Sequence, residues 1–302
     1  MRVVFFGTPR ISSEILKCLL DHDIDIIAVV TKADKAIGRS GKLIPPAVKV
    51  VAEEWQIPCY QPTKASEPAF IEFLKTLSAD LFVVAAFSEI FSQALLEVPT
   101  YGCINAHASL LPKYRGAAPI QRCIMAGERE SGITIMQMDR GLDTGGMIAV
   151  SKTPILPDMT AGELTKVLTR LGGDSLVNVI KNFNTIKVVP QPPGENTYAK
   201  KVSLEDGEVV WNRPSSEVYA QIRGVSPKPG AWCFVEVRGV KKRLKILSAR
   251  MSNLSGEAGT IIAKPLTIAC ASGAIELLEV QLEGKRVMKS DEFGRGYVNI
   301  KF

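Results

Sequence analysis

The sequence has little of what metal sites, disulfide frameworks and membrane spans require. Its 302 residues include two histidines and six cysteines, and no two cysteines form a CxxC pair or another metal-ligand spacing. No apolar run approaches the roughly 18 residues of a membrane-spanning helix. The N-terminus also lacks the length and the cleavage site of a signal peptide. We therefore expect a soluble, cytoplasmic protein with reduced thiols, no metal and no membrane partner.

Strong charge is absent as well. The formal net charge is +6, and the 46% hydrophobic and 23% charged residues are ordinary for a globular protein. Because single domains usually have about 100–200 residues, a chain of 302 residues predicts two domains. The mild basic excess favours a polyanionic partner such as nucleic acid, although many soluble proteins without such a partner are equally basic. We expect a monomer.

In the first half of the chain, short apolar runs alternate with segments of helical periodicity. This alternation predicts an α/β fold with a doubly wound, mostly parallel sheet of the Rossmann-like kind. The predicted strands are residues 3–6, 24–30, 81–86 and 102–106, and the predicted helices are residues 11–20, 46–55, 68–77, 118–126 and 161–183. Ligands of such sheets bind beyond the carboxyl ends of the strands, so the loops after strands are the places to look for chemistry.

The character of the chain changes after residue 188. Residues 189–204 begin with the run Val-Pro-Gln-Pro-Pro-Gly, which contains three prolines, and are interpreted as a semi-rigid linker or an extended strap. Residues 205–302 have one helical segment, 215–223, followed by short apolar runs separated by glycines or charged turns. That pattern predicts a small all-β barrel or sandwich, of which we expect a small β-barrel of the oligonucleotide-binding type. The first domain is then 1–188.

Two loops have residue types suited to catalysis. Asn105, His107 and Ser109 follow a predicted strand directly, at the ligand-binding edge of the sheet. A lone histidine is nevertheless more often structural than catalytic. The second loop, 138–146, combines Asp139 and Asp143 with three glycines that let the backbone approach a ligand closely. Its alternative interpretation is a simple hairpin turn in which Asp143 bonds its own backbone.

Together the two loops resemble the folate-dependent formyltransferases. The resemblance lies in Asn105-x-His107, in Ser109-Leu110-Leu111-Pro112 and in the Gly-Leu-Asp-Thr-Gly run around Asp143. Further segments are similar to the branch of the family that acts on methionyl-tRNA, and they lie along the whole chain: 6–9, 114–122, 134–139, 198–201 and 284–288. The resemblance implies transfer of the formyl group of 10-formyltetrahydrofolate to the α-amino group of methionyl initiator tRNA, for translation initiation, without a metal.

The resemblance also implies roles for particular residues. Asn105 and protonated His107 would donate hydrogen bonds to the oxyanion of a tetrahedral intermediate, and Asp143 would orient the imidazole. The folate-binding candidates are Phe87, Ser88, Ser109, Leu110, Leu111, Pro112, Asp139 and Gly141. The chain departs from the family habit at 87–90, where Phe-Ser-Glu-Ile stands in place of Tyr-Gly and an apolar pair. We expect this departure to alter the width or the polarity of the folate cleft.

Two basic segments are candidates for tRNA binding. Residues 31–46 form a predicted loop with Lys35, Arg39 and Lys42, in which Arg39 matches the family's key arginine for the acceptor stem. The second segment is Lys241-Lys242-Arg243 in the C-terminal part. The alternatives are a solvated loop in the first case and a lysine-protected strand edge in the second.

Three other functions compete with this interpretation. A related formyltransferase acting on an amino sugar or a purine precursor would share Asn-x-His and the later aspartate, but it would lack the basic loop around Arg39. A nucleotide-dependent dehydrogenase would explain the first domain, yet Gly7-Thr8-Pro9 is not a GxGxxG fingerprint. A tRNA-binding protein without activity would not need Asn105, His107 and Asp143 together.

Overall fold

The computed structural model describes residues 1–37, 41–297 and 300–302. The chain forms two compact units that are interleaved along the sequence. The first unit comprises Met1–Pro119, Ser131–Thr153 and Thr165–Ala199, and the second comprises Ile120–Glu130, Pro154–Leu164 and Lys200–Phe302. The division predicted from the sequence, with domains 1–188 and 205–302 and a linker 189–204, stays a prediction.

The strands and helices follow in chain order. The strands are β1 Val3–Gly7, β2 Ile26–Val30, β3 Lys35–Ile37, β4 Lys42–Ile44, β5 Cys59–Tyr60, β6 Leu81–Ala85, β7 Cys103–His107, β8 Arg115–Gly116, β9 Glu130–Gln137, β10 Met147–Pro154, β11 Tyr198–Ala199, β12 Ala231–Val237, β13 Val240–Ser252, β14 Ile261–Ala263, β15 Thr267–Ala269, β16 Ala274–Leu282 and β17 Val287–Lys289. The helices are α1 Arg10–Asp21, α2 Ala47–Glu54, α3 Pro68–Thr76, α4 Gln93–Leu96, α5 Pro119–Met125, α6 Ala161–Lys181, α7 Ser215–Gly224 and α8 Ser290–Gly296.

A seven-stranded sheet forms the centre of the first unit, in the order β10-β9-β7-β6-β1-β2-β5. Strands β5, β2, β1, β6 and β7 are parallel neighbours, and β9 runs antiparallel to β7. Every residue of β1 and β6 is buried, which explains why both strands are nearly continuous apolar runs. The predicted α/β fold with a mostly parallel sheet is confirmed.

Phe6 lies at the centre of the hydrophobic core on one side of this sheet. Its ring centroid is 5.0 Å from that of Phe82, 5.4 Å from Phe87 and 5.1 Å from Phe91. The next residue, Gly7, has no space for a side chain, because a Cβ would lie 2.6 Å from the Cβ of Ser12. Close packing at Gly7 therefore brings α1 directly against the end of β1.

The segment 31–46 differs from the predicted irregular loop. Strands β3 and β4 pair antiparallel within it, with Lys35 opposite Ile44 and Ala36 opposite Leu43. Leu43 is 63% exposed. Each strand has only three residues, fewer than the four to eight over which alternation becomes recognisable in a sequence, so the hairpin was missed.

The second unit contains a six-stranded antiparallel sheet. Its order is β12-β13-β16-β15-β14, with β17 also paired to β16. Helix α7 confirms the predicted helix at 215–223, whereas α8 was not predicted. Near the start of this unit Arg122 donates two hydrogen bonds to the carboxylate of Asp206, at 2.8 and 2.9 Å. The guanidinium holds the pKa of Asp206 below its ordinary value.

The six cysteines all lie in the described ranges, and none of them forms a disulfide bond there. Burial raises the pKa of the Cys59 thiol to about 11 and that of Cys270 to about 11, so both are neutral thiols near pH 7. Within the described part of the chain, no helix has the length and apolar character that crossing a bilayer demands.

Replacing Phe6 by alanine should lower the free energy of unfolding by about 3–5 kcal/mol, because three ring contacts are lost and a cavity remains. Val50→Ala, at a position 39% exposed on α2, is the control and should change it by less than about 0.5 kcal/mol. Urea denaturation of both variants measures the difference. Equal effects at the two positions would contradict the central role of Phe6 in this core.

Candidate active site

Strand β7 places Asn105 and His107 at its carboxyl end, on one face of the sheet. The strand lies between β6 and β9, with Asn105 opposite Val84 on one side and Met136 on the other. Since side chains alternate along a strand, residues 105 and 107 point to the same face. Among the described residues, the side-chain amide of Asn105 has no hydrogen-bond partner. Its two N–H groups are therefore available to a ligand.

His107 is held at both ring nitrogens. Its Nε2 lies 2.9 Å from the carbonyl oxygen of Tyr114, and its Nδ1 lies 3.5 Å from Oδ2 of Asp143. A carbonyl oxygen can only accept a hydrogen bond, so Nε2 carries a proton. An ionised carboxylate likewise accepts, so a ring protonated at both nitrogens satisfies both partners. The ring itself is 5% exposed.

The Asp143 carboxylate is fixed from a second direction. Its Oδ2 accepts a hydrogen bond of 2.8 Å from the backbone N–H of Gly116. The backbone of Asp143 has a φ of 54°, and that of Gly116 has a φ of 108°. Few non-glycine residues adopt a positive φ, so the loop must be held by its surroundings.

The loop that carries Asp143 joins neighbouring strands β9 and β10. Asp139 accepts hydrogen bonds from the Gly141 N–H at 3.0 Å and from the Thr144 hydroxyl at 2.7 Å. The alternative interpretation was therefore right about the turn, but Asp143 faces His107 and Gly116. Asp139 and Gly141 are exposed at the tip, and their contribution to folate binding stays a prediction.

The segment Ser109–Pro112 is tied to β9. The Ser109 hydroxyl donates to the carbonyl of Lys113 at 2.7 Å, and the Ser109 carbonyl accepts from the Thr134 hydroxyl at 2.7 Å. The Thr134 hydroxyl also accepts a hydrogen bond from the Leu111 N–H at 3.1 Å. Leu111 and Pro112 are buried and Leu110 is half-buried, so the segment is a rigid wall beside His107.

The unusual segment 87–90 lies in the loop after β6. The Phe87 ring is 2% exposed and packs in the core, so its backbone rather than its ring borders the surface. Ser88 is exposed with a φ of 62°. The Glu89 carboxylate pairs with Lys32 and accepts a hydrogen bond of 2.9 Å from the Ala65 N–H. The extra acidic group is thus neutralised by a neighbouring lysine.

Gln191 also belongs to this site, although it is not among the residues predicted from the sequence. Its side-chain amide donates to the carbonyl oxygens of Asp143 and Gly145, each at 2.8 Å. Its Oε1 accepts from the guanidinium of Arg115 at 2.6 and 3.1 Å. A single glutamine within a proline-rich segment has no periodicity or motif that would reveal these contacts.

The first group of predicted tRNA-binding residues lies in or beside the β3–β4 hairpin. Lys35 is exposed in β3, and Lys42 begins β4. Arg39 lies outside the described residues. The three residues are close along the chain, and their role in tRNA binding stays a prediction.

The second group lies on β13, and its three side chains point to two different faces of the sheet. Lys241 and Arg243 are on the outer face, each above an aromatic ring of β12: the Lys241 Nζ is 4.1 Å from the Phe234 centroid, and the Arg243 guanidinium carbon is 4.2 Å from that of Trp232. Lys242 alternates to the other face, on the side of the buried Leu244. The consecutive cluster is therefore not one surface. The outer pair is a cationic and aromatic patch of a kind that binds nucleic acid in other proteins.

No group of three or more side chains in the described ranges has the composition and proximity of a metal site. The site instead combines a free amide, a histidine with two acceptors, and a carboxylate. Burial raises the pKa of the Cys103 thiol, two residues before Asn105 on β7, so this thiol is neutral near pH 7.

The chain is similar over its whole length to bacterial proteins named methionyl-tRNA formyltransferase. The methionyl-tRNA formyltransferase of Chlamydia caviae is 47% identical, over 100% of this chain and 97% of that protein. That of Chlamydia abortus is 45% identical, over 98% and 95%. Among solved structures, the sugar 3N-formyl transferase WlaRD, determined in the presence of dTDP and 5-N-formyl-THF, has a TM-score of 0.69 and 21% identity over 95% of this chain and 99% of that chain. At that identity the likeness to WlaRD concerns the fold alone.

The family models agree with these similarities. The model described as formyl transferase matches residues 1–180, and the model described as formyl transferase, C-terminal domain, matches residues 201–298. The chain therefore belongs to the formyl transferase family.

Proposed function

We propose that the chain transfers the formyl group of 10-formyltetrahydrofolate to the α-amino group of methionyl initiator tRNA, for translation initiation in the cytoplasm. The observation that carries this proposal is the arrangement of His107 between the Tyr114 carbonyl and the Asp143 carboxylate, beside the unpartnered amide of Asn105. The full-length relatives named for this reaction, at 45–47% identity, support the choice of substrates. The amino-sugar alternative has only the shared fold in its favour.

The reaction needs an oxyanion site and a route for one proton. The neutral α-amine attacks the formyl carbon, a C–N bond forms, and the formyl oxygen takes up the electron pair of the C=O bond. The Asn105 amide donates a hydrogen bond to this oxyanion. His107 donates from Nε2 once the formyl oxygen replaces the Tyr114 carbonyl as its acceptor. Collapse of the intermediate then breaks the bond to N10 of the folate.

Asp143 acts on the other side of the imidazole. Its carboxylate, 3.5 Å from Nδ1, stabilises the doubly protonated ring that donates to the oxyanion. It also accepts the proton lost by the attacking amine, through a water molecule. The leaving N10 takes up this same proton, returned through the water, as tetrahydrofolate departs, so charge and atoms balance. No step requires a metal ion.

The folate is bound beside this centre by three segments, which are the loop after β6, the loop between β9 and β10, and Ser109–Pro112. Residues Ser109–Pro112 face the donor, and the backbone at Phe87 and Ser88 with Asp139 and Gly141 lines the pterin. The tRNA contacts Lys35, Arg39 and Lys42 of the segment 31–46, and Lys241 and Arg243 on the outer face of β13. Lys241, which is exposed, and Arg243, which is half-buried, support this assignment most directly, because each lies against an aromatic ring of β12 on the outer face of the sheet. The protein acts as a monomer.

Replacement of each proposed catalytic side chain should lower the rate of formyl transfer. Asn105→Ala should lower kcat by about 10²–10³-fold, because one oxyanion donor is lost. His107→Ala and Asp143→Asn should lower it at least as much. Transfer of labelled formyl from 10-formyltetrahydrofolate to methionyl initiator tRNA measures each rate.

The other histidine of the chain provides the matched control. His22 is exposed, and among the described residues its Nδ1 lies within hydrogen-bond distance of Cys18 alone, at the carbonyl and the thiol. The variant His22→Ala should therefore transfer formyl at the wild-type rate. Full activity in His107→Ala would contradict the catalytic assignment while leaving the reaction in place. A folded wild-type protein that transfers no formyl would contradict the proposed reaction.

Replacing Arg39 by alanine should raise KM for the tRNA and leave folate binding unchanged. If Arg39 contacts a phosphate, the slope of log KM against log salt concentration should fall by about 1. Steady-state kinetics at several salt concentrations measure the slope. Lys75→Ala removes a surface charge that is paired with Glu72 and should leave both quantities unchanged. An unaltered KM in the Arg39 variant would contradict the assignment of the segment 31–46 to tRNA binding.

A further inference from the structure

We propose that Gln191 is a positioning residue for formyl transfer, because its amide fixes the backbone of the Asp143 loop and so aims the carboxylate at His107. The inference rests on the proposed function, since it acts through Asp143. It also gives a role to residues 189–199, here called the strap, which the sequence presents as the beginning of a linker.

Both amide protons of Gln191 are used on the loop that carries Asp143. They bond to the carbonyl oxygens of Asp143 and Gly145 at 2.8 Å each, so they hold the loop on either side of Thr144. The loop needs such support because Asp143 has a φ of 54°, a left-handed conformation that a residue with a side chain rarely adopts. Among the described hydrogen bonds, the one from Gln191 is the only one that the Asp143 carbonyl accepts.

The orientation of the Gln191 amide follows from the chemistry of its partners. Arg115 can only donate, and its Nη2 and Nε lie 2.6 and 3.1 Å from Oε1. The two carbonyl oxygens can only accept. A rotated amide would set acceptor against acceptor and donor against donor. Because Arg115 is buried, the amide has one satisfied orientation.

The strap also bonds to the backbone of the second loop of the site. The Tyr114 N–H donates to the Thr197 hydroxyl at 2.8 Å, and the Arg115 N–H donates to the Thr197 carbonyl at 2.8 Å. Strand β11 then pairs with β8. At its other end Val189 exchanges two backbone hydrogen bonds with Met147, at 2.7 and 2.8 Å.

These contacts connect the strap to both partners of His107. One partner is the Tyr114 carbonyl, on the loop that Thr197 holds. The other is the Asp143 carboxylate, on the loop that Gln191 holds. The Gly116 N–H completes the connection, because it bonds to Asp143 Oδ2 at 2.8 Å. Since a displacement of about 1 Å in a catalytic group can cost about 10²-fold in rate, the strap should determine kcat without touching either substrate.

Gln191→Glu is the informative variant. It keeps the shape of the side chain and an acceptor for Arg115, but it points an oxygen instead of N–H groups at two carbonyl oxygens. We expect kcat to fall by about 10–10²-fold while KM for each substrate changes less than about two-fold. Hydrogen exchange in peptides that cover 139–147 should become faster, which reports the loop independently of activity.

The chain contains a matched control at Gln221 in the second unit. Its amide also donates to two backbone carbonyls, those of Asp206 at 2.9 Å and Glu208 at 2.8 Å, and its Oε1 accepts from Arg213 at 3.2 Å. Gln221→Glu therefore makes the same chemical change without contact to a proposed catalytic group. It should leave kcat unchanged, and comparison of the two melting temperatures accounts for general destabilisation.

The outcomes separate this inference from the function on which it rests. Loss of kcat in Gln191→Glu but not in Gln221→Glu supports the positioning role. An equal kcat in the two variants, or a raised folate KM with kcat unchanged, overturns it even if the reaction is present. Full activity in Asp143→Asn overturns both the catalytic assignment and the inference. If Gln191→Glu does not fold, Gln191→Asn, which withdraws the amide by one methylene, carries the same expectation.

Discussion

The position of the Asp143 carboxylate determines the candidate site, and three separate stretches of chain determine that position. The loop between β9 and β10 carries the residue, the Gly116 N–H bonds to its side chain, and Gln191 bonds to its backbone. His107 then lies between this carboxylate and the Tyr114 carbonyl. Each ring nitrogen of His107 therefore has a hydrogen-bond acceptor within 3.5 Å. The unpartnered amide beside it adds a neutral donor, so the centre is suited to a developing negative charge.

Burial explains what the sequence could predict. Strands β1 and β6 are buried on both faces, so their side chains are apolar without interruption and the parallel sheet is recognisable. The positions of Asn105 and His107 at a strand end follow from the same pattern. Their catalytic roles do not, because position alone leaves a structural histidine as an alternative, and the likeness to a family was needed to choose.

The contacts that the sequence did not reveal are distant in the chain or too short to have a period. Gln191 meets its two carbonyl partners across 48 and 46 residues, and no local pattern records such a pairing. The hairpin of β3 and β4 has three residues in each strand. Lys241 and Lys242 look like one cluster in the sequence, but strand alternation sends their side chains to opposite faces. Glu89 looked like an intrusion into a cleft, and its partner Lys32 lies on a different loop.

The strap changes where the catalytic part of this chain can be separated from the rest. A fragment that ended before residue 189 would include Asn105, His107 and Asp143, yet it would lack Gln191 and the Thr197 contacts to the Tyr114 loop. Recombination between related chains at that point would combine the catalytic loops of one chain with the strap of another. A junction after Ala199, where the first compact unit ends, keeps the loops with the groups that hold them. In modular terms, the eleven residues that resemble a connector belong to the catalytic part.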